Sequence, residues 1–163
     1  MIEQSLVLIK PDGVARGLIG EIIKRFEQRG LKIVALKMLH PTIEQAKRHY
    51  TEDIAKRRGE KVRQLLLEFI TEGPIVAMVI EGVNAIENVR KIVGDTESKS
   101  ALPGTIRGDF SHVSFEYADK RQIPVRNVIH ASSSKEEAKK EIDVWFSIDE
   151  IYEYKRADEQ HVF

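Results

Sequence analysis

The spacing of apolar residues along the chain predicts four buried strands and at least five helices. Runs of consecutive apolar residues are typical of buried strands, and these cover Ser5 to Ile9, Leu31 to Leu39, Ile75 to Ile80 and a short run that leads into His130. Apolar residues three and four positions apart are typical of helices, and these occur in Ile19 to Phe26, Ala46 to Tyr50, Val62 to Phe69, Ile86 to Val93 and Ala138 to Trp145.

Polar caps and glycines predict where these helices begin and end. Thr42 with Gln45, and Ser134 with Glu137, have the spacing of a capping box, and Asn84 is expected to cap a third helix. Glycines are expected to end three helices, at Gly30, Gly73 and Gly94. A long irregular stretch is expected over residues 95–125.

The order of the predicted elements is β-α-β-α-α-β-α-loop-β-α, with a split β-α-β repeat at its centre. This order favours an α+β fold, a ferredoxin-like sandwich in which helices cover an antiparallel four-stranded sheet. We detect no linker, low-complexity tract or internal repeat, and therefore expect a single domain over residues 1–163.

Composition narrows the class of protein without identifying it. The chain has 26 basic and 26 acidic residues and no cysteine. Because the charges balance, we do not expect nucleic acid as a primary partner or binding to a membrane surface. The lack of cysteine excludes disulfides and thiolate chemistry. The first residues lack the pattern of a signal peptide, and no apolar run approaches membrane-spanning length. We therefore expect a cytoplasmic protein.

The first candidate for chemistry is His130, which ends a β-branched run just before the helix predicted from Ser134. A helix N-terminus attracts phosphate groups, and an imidazole beside such a site could carry a phosphoryl group as a phosphohistidine. A lone histidine at a strand end is more often a structural or surface residue, so the signal is weak by itself.

Glu141 strengthens this interpretation because it lies between Ala138 and Trp145 on the apolar stripe of the last helix. A carboxylate on a buried face is costly unless it is paired, and His130 is the nearest partner in sequence. Such a pair would fix the orientation of the imidazole and leave its other nitrogen free. The alternative is a Glu141 side chain at the edge of the stripe that reaches solvent or a lysine.

Basic residues in two predicted loops could contact a phosphate. The long loop begins after Arg90 and contains Arg107, and Lys10 directly follows the first strand. Arginine donors match the geometry of phosphate oxygens, and loops of such length are usually functional or disordered. The alternative is that both loops are surface turns with solvated basic side chains.

Other nucleotide-binding and metal-binding signatures are missing. The chain has no P-loop, no dinucleotide fingerprint and no protein-kinase motif set. The remaining histidines lack metal-ligand spacing and are expected to be surface or loop residues; they are His40, His49, His112 and His161.

Five segments, taken together and in this order, resemble the nucleoside diphosphate kinase family along the whole chain. The segments are Lys10-Pro11-Asp12-Gly13, Arg16-Gly17-Leu18-Ile19-Gly20-Glu21, Gly73-Pro74-Ile75-Val76-Ala77-Met78-Val79, Pro103-Gly104-Thr105-Ile106-Arg107-Gly108-Asp109-Phe110 and Asn127-Val128-Ile129-His130-Ala131-Ser132. The resemblance implies a ferredoxin-like fold and Mg²⁺-dependent exchange of the γ-phosphate between nucleoside triphosphates, typically ATP, and nucleoside diphosphates. It also implies a homo-oligomer, with a hexamer expected.

The resemblance also implies roles for individual residues. His130 matches the phosphorylated histidine, Glu141 the carboxylate that orients it, and Ser132 a residue close to the imidazole. Residues that match the surroundings of the phosphates are Lys10, Tyr50, Arg90, Thr96 and Arg107. Asn127 matches a residue that contacts the ribose. Mg²⁺ is expected to be held mainly by the nucleotide phosphates, with no dedicated metal ligands in the chain.

The sequence departs from the family pattern at four places. The aromatic residue that stacks on the base falls at Val62 when counted back from Gly73, and Ala131 and Ser133 replace a glycine and an aspartate. Residues 111–124 are expected to be an insertion, in which Phe115, Tyr117 and Ile123 should pack against other parts of the protein, with Phe115 and Tyr117 adding to a subunit contact. These departures keep open a regulatory nucleotide-binding module without catalysis, and the fold class keeps open a nucleic-acid-binding or assembly protein.

Strand geometry adds one constraint on the site. Alternation along an extended strand would place Asn127 and His130 on opposite faces of the sheet. The chain must therefore bend between them, or the strand must start after Asn127, if both side chains are to meet one nucleotide.

Overall fold

Four strands form the centre of the molecule, and helices connect and cover them. The structure is a computed structural model that describes residues 1–162. The strands are β1 (Ile2–Ile9), β2 (Lys32–Leu39), β3 (Ile75–Val83) and β4 (Ile129–Ala131). The helices are α1 (Pro11–Ala15), α2 (Ile19–Gln28), α3 (Ile43–His49), α4 (Glu52–Arg58), α5 (Glu60–Thr71), α6 (Ala85–Val93), α7 (Ile106–Phe110), α8 (Phe115–Arg121), α9 (Lys135–Trp145) and α10 (Glu159–Val162), with 3₁₀ turns at Ser98–Ser100 and Ile148–Glu150.

The strands form one sheet in the order β2-β3-β1-β4, and every neighbouring pair is antiparallel. This topology confirms the predicted ferredoxin-like α+β fold. Strand β1 occupies a central position because its residues Leu6 to Ile9 are apolar on both faces and completely buried. The short strand β4 pairs with this part of β1 and places His130 opposite Leu8.

Helices cover both faces of the sheet, so alternate residues of β1 enter two separate clusters. Leu6 and Leu8 pack with residues of α3, α5 and α9, including Trp145. Val7 and Ile9 pack with residues of α2 and α6, including Phe26. The strand alternation expected for a period of two residues therefore divides the core into two layers.

Two of the three predicted helix caps differ from expectation. The reciprocal capping box of Thr42 and Gln45 is present. Asn84 precedes α6 in a left-handed conformation and its side chain does not cap the helix; the Glu3 carboxylate instead accepts the Ile86 N–H. The Ser134 hydroxyl accepts the Glu137 N–H, but the Glu137 carboxylate turns back to Ser133 and completes no reciprocal box.

The prediction of an irregular stretch over residues 95–125 is wrong, because α7, α8 and a 3₁₀ turn lie within it. The Thr105 hydroxyl caps α7 and the Ser114 hydroxyl caps α8. Helix α7 has only five residues, and α8 has seven with a single buried residue, so neither repeats an apolar spacing that periodicity could show. Helices α1, α4 and α10 were not predicted for the same reason. Within residues 1–162, no helix is both long and apolar enough to span a membrane.

Candidate active site

A cavity of about 320 Å³ lies where the ends of β1 and β4 meet the helical segments that follow β2 and β3. One end of this cavity is polar and cationic, with Lys10, Arg90, Arg107 and His130. The other end, called the apolar end below, is lined by several apolar side chains together with the charged Arg57, Arg58 and Asp119; the apolar ones include Ile54, Val62, Leu65, Leu66, Phe115, Ile123 and Pro124. The cavity therefore offers a charged end to an anion and an apolar end to a flat ring.

All but two of the predicted site residues line this cavity: Lys10, Tyr50, Val62, Arg90, Thr96, Arg107, Asn127 and His130. The other two, Ser132 and Glu141, lie directly behind the His130 imidazole and are buried. The structure thus brings together side chains that are up to 131 positions apart in the sequence, from Lys10 to Glu141.

The His130 ring is held from behind by Glu141. The His130 Nε2 atom lies 2.7 Å from Glu141 Oε1, which confirms the predicted pair. The Ser132 hydroxyl donates to the other Glu141 oxygen at 2.6 Å, so both carboxylate oxygens have partners. An ionised Glu141 accepts a hydrogen from Nε2, which leaves Nδ1 of His130 with a free lone pair.

A second histidine, His49 at the end of α3, lies against this pair. Its ring packs edge-on against the His130 ring at a centroid distance of 4.6 Å, and its Nδ1 accepts a hydrogen bond from Trp145 Nε1 at 3.3 Å. The same nitrogen is 3.6 Å from Glu141 Oε1. The expectation that His49 is a surface or loop residue is wrong, because it is buried within this cluster.

Burial and nearby cations determine the protonation of His130. Burial lowers the pKa of His130 well below its usual value, and the charges of Lys10 and Arg107 lower it further. Burial raises the pKa of Glu141, which the His49 and Ser132 contacts partly oppose. The Glu137 carboxylate acts in the opposite direction on the pKa of His130, but burial and the cations outweigh it. The ring is therefore neutral near pH 7, as a nucleophile requires.

The cations at the polar end repel one another in the absence of an anion. Burial lowers the pKa of Lys10 to about 7, and the charge of Arg107 contributes to this shift. Burial and the charge of Arg90 lower the pKa of Arg107 to about 10. Arg107 donates to the carbonyl groups of Gly94 and Ile129, while its buried Nε has no partner among residues 1–162. A bound phosphate would relieve this repulsion.

Asn127 connects the cationic end to the loop after α6. Its Oδ1 accepts a hydrogen bond from Lys10 Nζ at 2.7 Å, and its Nδ2 donates to the Thr96 carbonyl at 2.8 Å. Tyr50 is buried at the cavity wall, and burial raises the pKa of its phenol, which therefore stays protonated. These contacts fix the wall of the cavity before any ligand binds.

Asn127 and His130 face the same cavity because the chain turns between them. Strand β4 begins only at Ile129, and Val128 has a positive φ of 60°. The Ile129 N–H donates to the Asn127 carbonyl at 2.8 Å, which closes a three-residue turn. The predicted bend or late start of the strand is therefore confirmed.

Several residues that line the cavity were not predicted from the sequence as site residues, and Phe115, Arg58 and Arg57 are among them. Phe115 of α8 faces the apolar end of the cavity, and the Arg58 guanidinium lies over its ring at 4.8 Å from the centroid. Arg57 also lines the cavity. The apolar character of Phe115 within a polar segment was the available signal, but only the fold shows that the segment reaches the site.

The residues near the cavity do not form a dedicated Mg²⁺ site. Among residues 1–162, the only close group of three potential metal ligands is His49, His130 and Glu141. Mg²⁺ prefers oxygen ligands in an octahedral arrangement, and this group offers two imidazoles and one carboxylate. The cationic residues at the phosphate end are equally unsuitable as ligands. This group of three therefore does not match the ligand preference of Mg²⁺.

The fold and the site together define a class of protein, a ferredoxin-like α+β protein with a cationic, histidine-lined cavity suited to a phosphate group. A family model described as nucleoside diphosphate kinase matches residues 3–151. The chain is 49% identical to the nucleoside diphosphate kinase of Borreliella burgdorferi, over 98% of this chain and 96% of that protein. It is 52% identical to the one from Pyrococcus abyssi, over 96% and 92%. The chain belongs to the nucleoside diphosphate kinase family and is an enzyme of that family.

Solved structures agree with this assignment. A transition state mimic of nucleoside-diphosphate kinase from Borrelia burgdorferi, with bound vanadate and ADP, superimposes with a TM-score of 0.96 at 49% identity and covers 98% of this chain and 96% of that one. The NDP kinase from Pyrobaculum aerophilum superimposes with a TM-score of 0.86 at 38% identity, over 94% of this chain and 100% of that chain.

Proposed function

We propose that the enzyme transfers the γ-phosphate of a nucleoside triphosphate, typically ATP, to a nucleoside diphosphate through a phosphohistidine at His130. One observation carries this proposal: the His130 imidazole is held by Glu141 at Nε2, and it lines a cavity whose polar end contains Lys10 and Arg107. The Borrelia burgdorferi structure with vanadate and ADP supports it, because that similar protein accepts a nucleoside diphosphate in a transition state mimic.

In the first half-reaction, the free Nδ1 of His130 attacks the γ-phosphorus in line. The new N–P bond forms as the bond to the β,γ-bridging oxygen breaks, and ADP leaves with that electron pair. Positive charge develops on the ring during attack, and Glu141 stabilises this charge through Nε2. A second nucleoside diphosphate then enters the same cavity, and its terminal oxygen takes the phosphoryl group from Nδ1.

The cations at the polar end supply the charge stabilisation that phosphoryl transfer needs. Arg107 and Arg90 have guanidinium groups that match phosphate oxygens, and we propose that they and Lys10 contact the transferred and leaving groups. Tyr50 and Thr96 complete the phosphate surroundings, and Asn127 contacts the ribose. We propose Mg²⁺ as the cofactor, held mainly by the phosphates, whose charge it neutralises when bound.

The apolar end of the cavity accounts for exchange between different nucleotides. One site serves both half-reactions, so the base should be recognised loosely while phosphate and sugar contacts supply most of the binding. Val62 and Phe115 offer apolar surface to any base, whereas hydrogen-bond groups would select one.

The test is a two-step labelling experiment. With ATP labelled at its γ-phosphate and Mg²⁺, the enzyme alone should form an acid-labile, base-stable phosphoprotein, and an unlabelled nucleoside diphosphate should remove the label as triphosphate. His130→Ala should form no phosphoprotein. Near-normal exchange by His130→Ala would overturn the proposal, and nucleotide binding without any label transfer by the parent would favour a regulatory module.

Other expectations from the sequence stay predictions. We propose a homohexamer and a single domain in which residues 111–124 are an insertion. The expected cytoplasmic location is tested by cell fractionation, and the expected absence of nucleic acid as a primary partner is tested by direct binding measurements.

A further inference from the structure

The turn that precedes His130 is formed at an unfavourable residue. Val128 is fully buried and has a φ of 60°, a region that β-branched residues rarely occupy. The hydrogen bond from the Ile129 N–H to the Asn127 carbonyl makes Val128 the central residue of a γ-turn with positive φ, which is rare and strained. Strain of this kind persists only where surrounding contacts hold the backbone in place.

This turn determines the direction of two site residues. An extended backbone at Val128 would send the side chains of Asn127 and His130 to opposite faces of the sheet. With the turn, the Asn127 amide reaches Lys10 and the His130 ring reaches the same cavity. The conformation of Val128 is therefore a requirement of the site and does not follow from strand pairing.

Residues within α1 and next to it form hydrogen bonds with both backbone polar groups of Val128. The Asp12 Oδ2 atom accepts the Val128 N–H at 3.1 Å, and the Lys10 N–H donates to the Val128 carbonyl at 2.9 Å. Gly13 allows this approach, because a Cβ there would lie 2.9 Å from the Val128 carbonyl oxygen. The Asp12 side chain is buried, and its contact comes 116 positions before Val128 in the sequence.

We propose that Asp12 is a positioning residue, which holds the Val128 turn and thereby aims His130 and Asn127 at one nucleotide. The inference rests on the proposed function, because its consequence is the rate of phosphoryl transfer to His130. Asp12 touches no reacting atom; it acts through a hydrogen bond to the backbone. Its carboxylate also lies near the charge of Lys10, so the experiment must separate geometry from charge.

Two substitutions separate these effects. Asp12→Asn keeps an oxygen acceptor in the same place and removes the charge, whereas Asp12→Glu keeps the charge and displaces the acceptor. We expect Asp12→Asn to keep most of the single-turnover rate of His130 phosphorylation at saturating ATP and Mg²⁺. Asp12→Glu and Asp12→Ala should lose rate on the order of 10²-fold, the usual effect of misplacing a reacting group by about 1 Å. The dissociation constant for ADP should change much less.

A third substitution tests the strain directly. Glycine adopts a positive φ without penalty, so Val128→Gly should restore part of the rate when it is added to Asp12→Ala. A merely structural role would change the melting temperature of Asp12→Ala but would not produce this selective rescue of rate. Asp149→Ala, at an exposed aspartate away from the cavity, is the control and should keep the parental rate.

The outcomes distinguish a positioning role of Asp12 from an effect of its charge. A slow Asp12→Asn enzyme with a fast Asp12→Glu enzyme would show that Asp12 acts by charge and would overturn the proposal, as would the absence of any rescue by Val128→Gly. If Asp12→Ala or Asp12→Glu does not fold, the double variant must recover the fold as well as the rate, or the proposal fails. A parent protein that forms no phosphohistidine contradicts the proposed function instead, which keeps the two failures distinct.

Discussion

At the scale of single residues, burial and nearby cations keep the proposed nucleophile neutral, while a carboxylate holds it in place. Burial, Lys10 and Arg107 lower the pKa of His130, and burial raises the pKa of Glu141. In the proposed mechanism, the ring is therefore unprotonated before attack and is stabilised by Glu141 once positive charge develops. The stabilisation of this positive charge by Glu141 would offset the cost of desolvating a buried carboxylate.

Glu141→Gln should slow phosphorylation of His130 by about tenfold or more with little loss of stability. The amide keeps the volume and some hydrogen bonding, but it removes a charge-assisted bond worth about 1.5–3 kcal/mol. The measurement is the single-turnover labelling rate, compared with the melting temperature. Glu136→Gln changes an exposed carboxylate of the same helix and is the control. Unchanged labelling with a lowered melting temperature would make Glu141 a packing residue only.

Binding of ADP should take up a proton at Lys10. The pKa of Lys10 is lowered to about 7 in the free enzyme, and a nearby phosphate favours the charged form, so the pKa rises on binding. Between these two pKa values the complex holds more protons than the free enzyme. Calorimetry at about pH 8, in buffers of different ionisation enthalpy, measures this uptake. Lys10→Arg stays charged throughout and should show none; equal uptake in both would assign the proton elsewhere.

The residue-scale features that the sequence could predict were those with a local pattern. Glu141 stood out because a carboxylate interrupts an apolar helical stripe, and its pairing with His130 is confirmed. His49 and Asp12 had no such signal. Their roles depend on contacts made across the fold, 81 positions from His49 to His130 and 116 from Asp12 to Val128, and no pattern within one helix or strand reports such contacts.

At the scale of elements, long amphipathic helices were predictable, whereas among the short helices only α3 was, through its capping box. Helices α2, α5, α6 and α9 have nine to twelve residues, enough for apolar positions to repeat. Helix α8 has seven residues and one buried residue, Ala118. Its place over the cavity depends on tertiary contacts, because Phe115 reaches the site while Tyr117 stays half-exposed.

Helix α8 should contribute to binding of the base through Phe115. Phe115→Ala removes an aromatic contact worth about 0.5–1.5 kcal/mol, so binding of ADP should weaken by roughly two- to tenfold. Val62→Phe adds an aromatic ring to the same end of the cavity and should tighten binding of purine diphosphates. Dissociation constants for ADP and a pyrimidine diphosphate measure both effects, with Tyr117→Ala as the control on α8.

Equal affinity for ADP in the parent, Phe115→Ala and Val62→Phe would mean that other residues cover the base. A loss of affinity in Tyr117→Ala as large as in Phe115→Ala would point to unfolding of α8 instead of a lost contact. Either result would contradict the assigned role of Phe115.

At the scale of the whole molecule, the fold could be predicted because its strands and long helices follow in an order that few architectures allow. The sheet order β2-β3-β1-β4 agrees with that prediction. The site was harder to predict than the fold. Its residues come from the ends of β1 and β4, from the loop after α6 and from helices that precede and follow α8 in the sequence. Resemblance to the family predicted eight of the residues that line the cavity, and only the fold shows that they share it.

We propose that the surface of β2 contributes to the expected contact between copies of this chain. Strand β2 is an edge of the sheet, and Leu36 and Met38 on it are 52% and 58% exposed. The C-terminal segment beside it leaves Tyr152 66% exposed, although the Tyr152 N–H donates to the Val34 carbonyl. Apolar groups exposed next to an open strand edge are typical of an interface.

Leu36→Glu combined with Met38→Glu should therefore reduce the mass of the particle in solution. Burying each of these side chains stabilises an interface by about 1.5–3 kcal/mol, and a buried unpaired carboxylate opposes association. Sedimentation or light scattering at micromolar concentration measures the mass, with a parent of six chains expected. Lys61→Glu makes the same change of net charge at an exposed site on α5 and should leave the mass unchanged. A parent that is already a monomer would remove the claim of an oligomer, and an unchanged oligomer in the double variant would place the interface elsewhere on the surface.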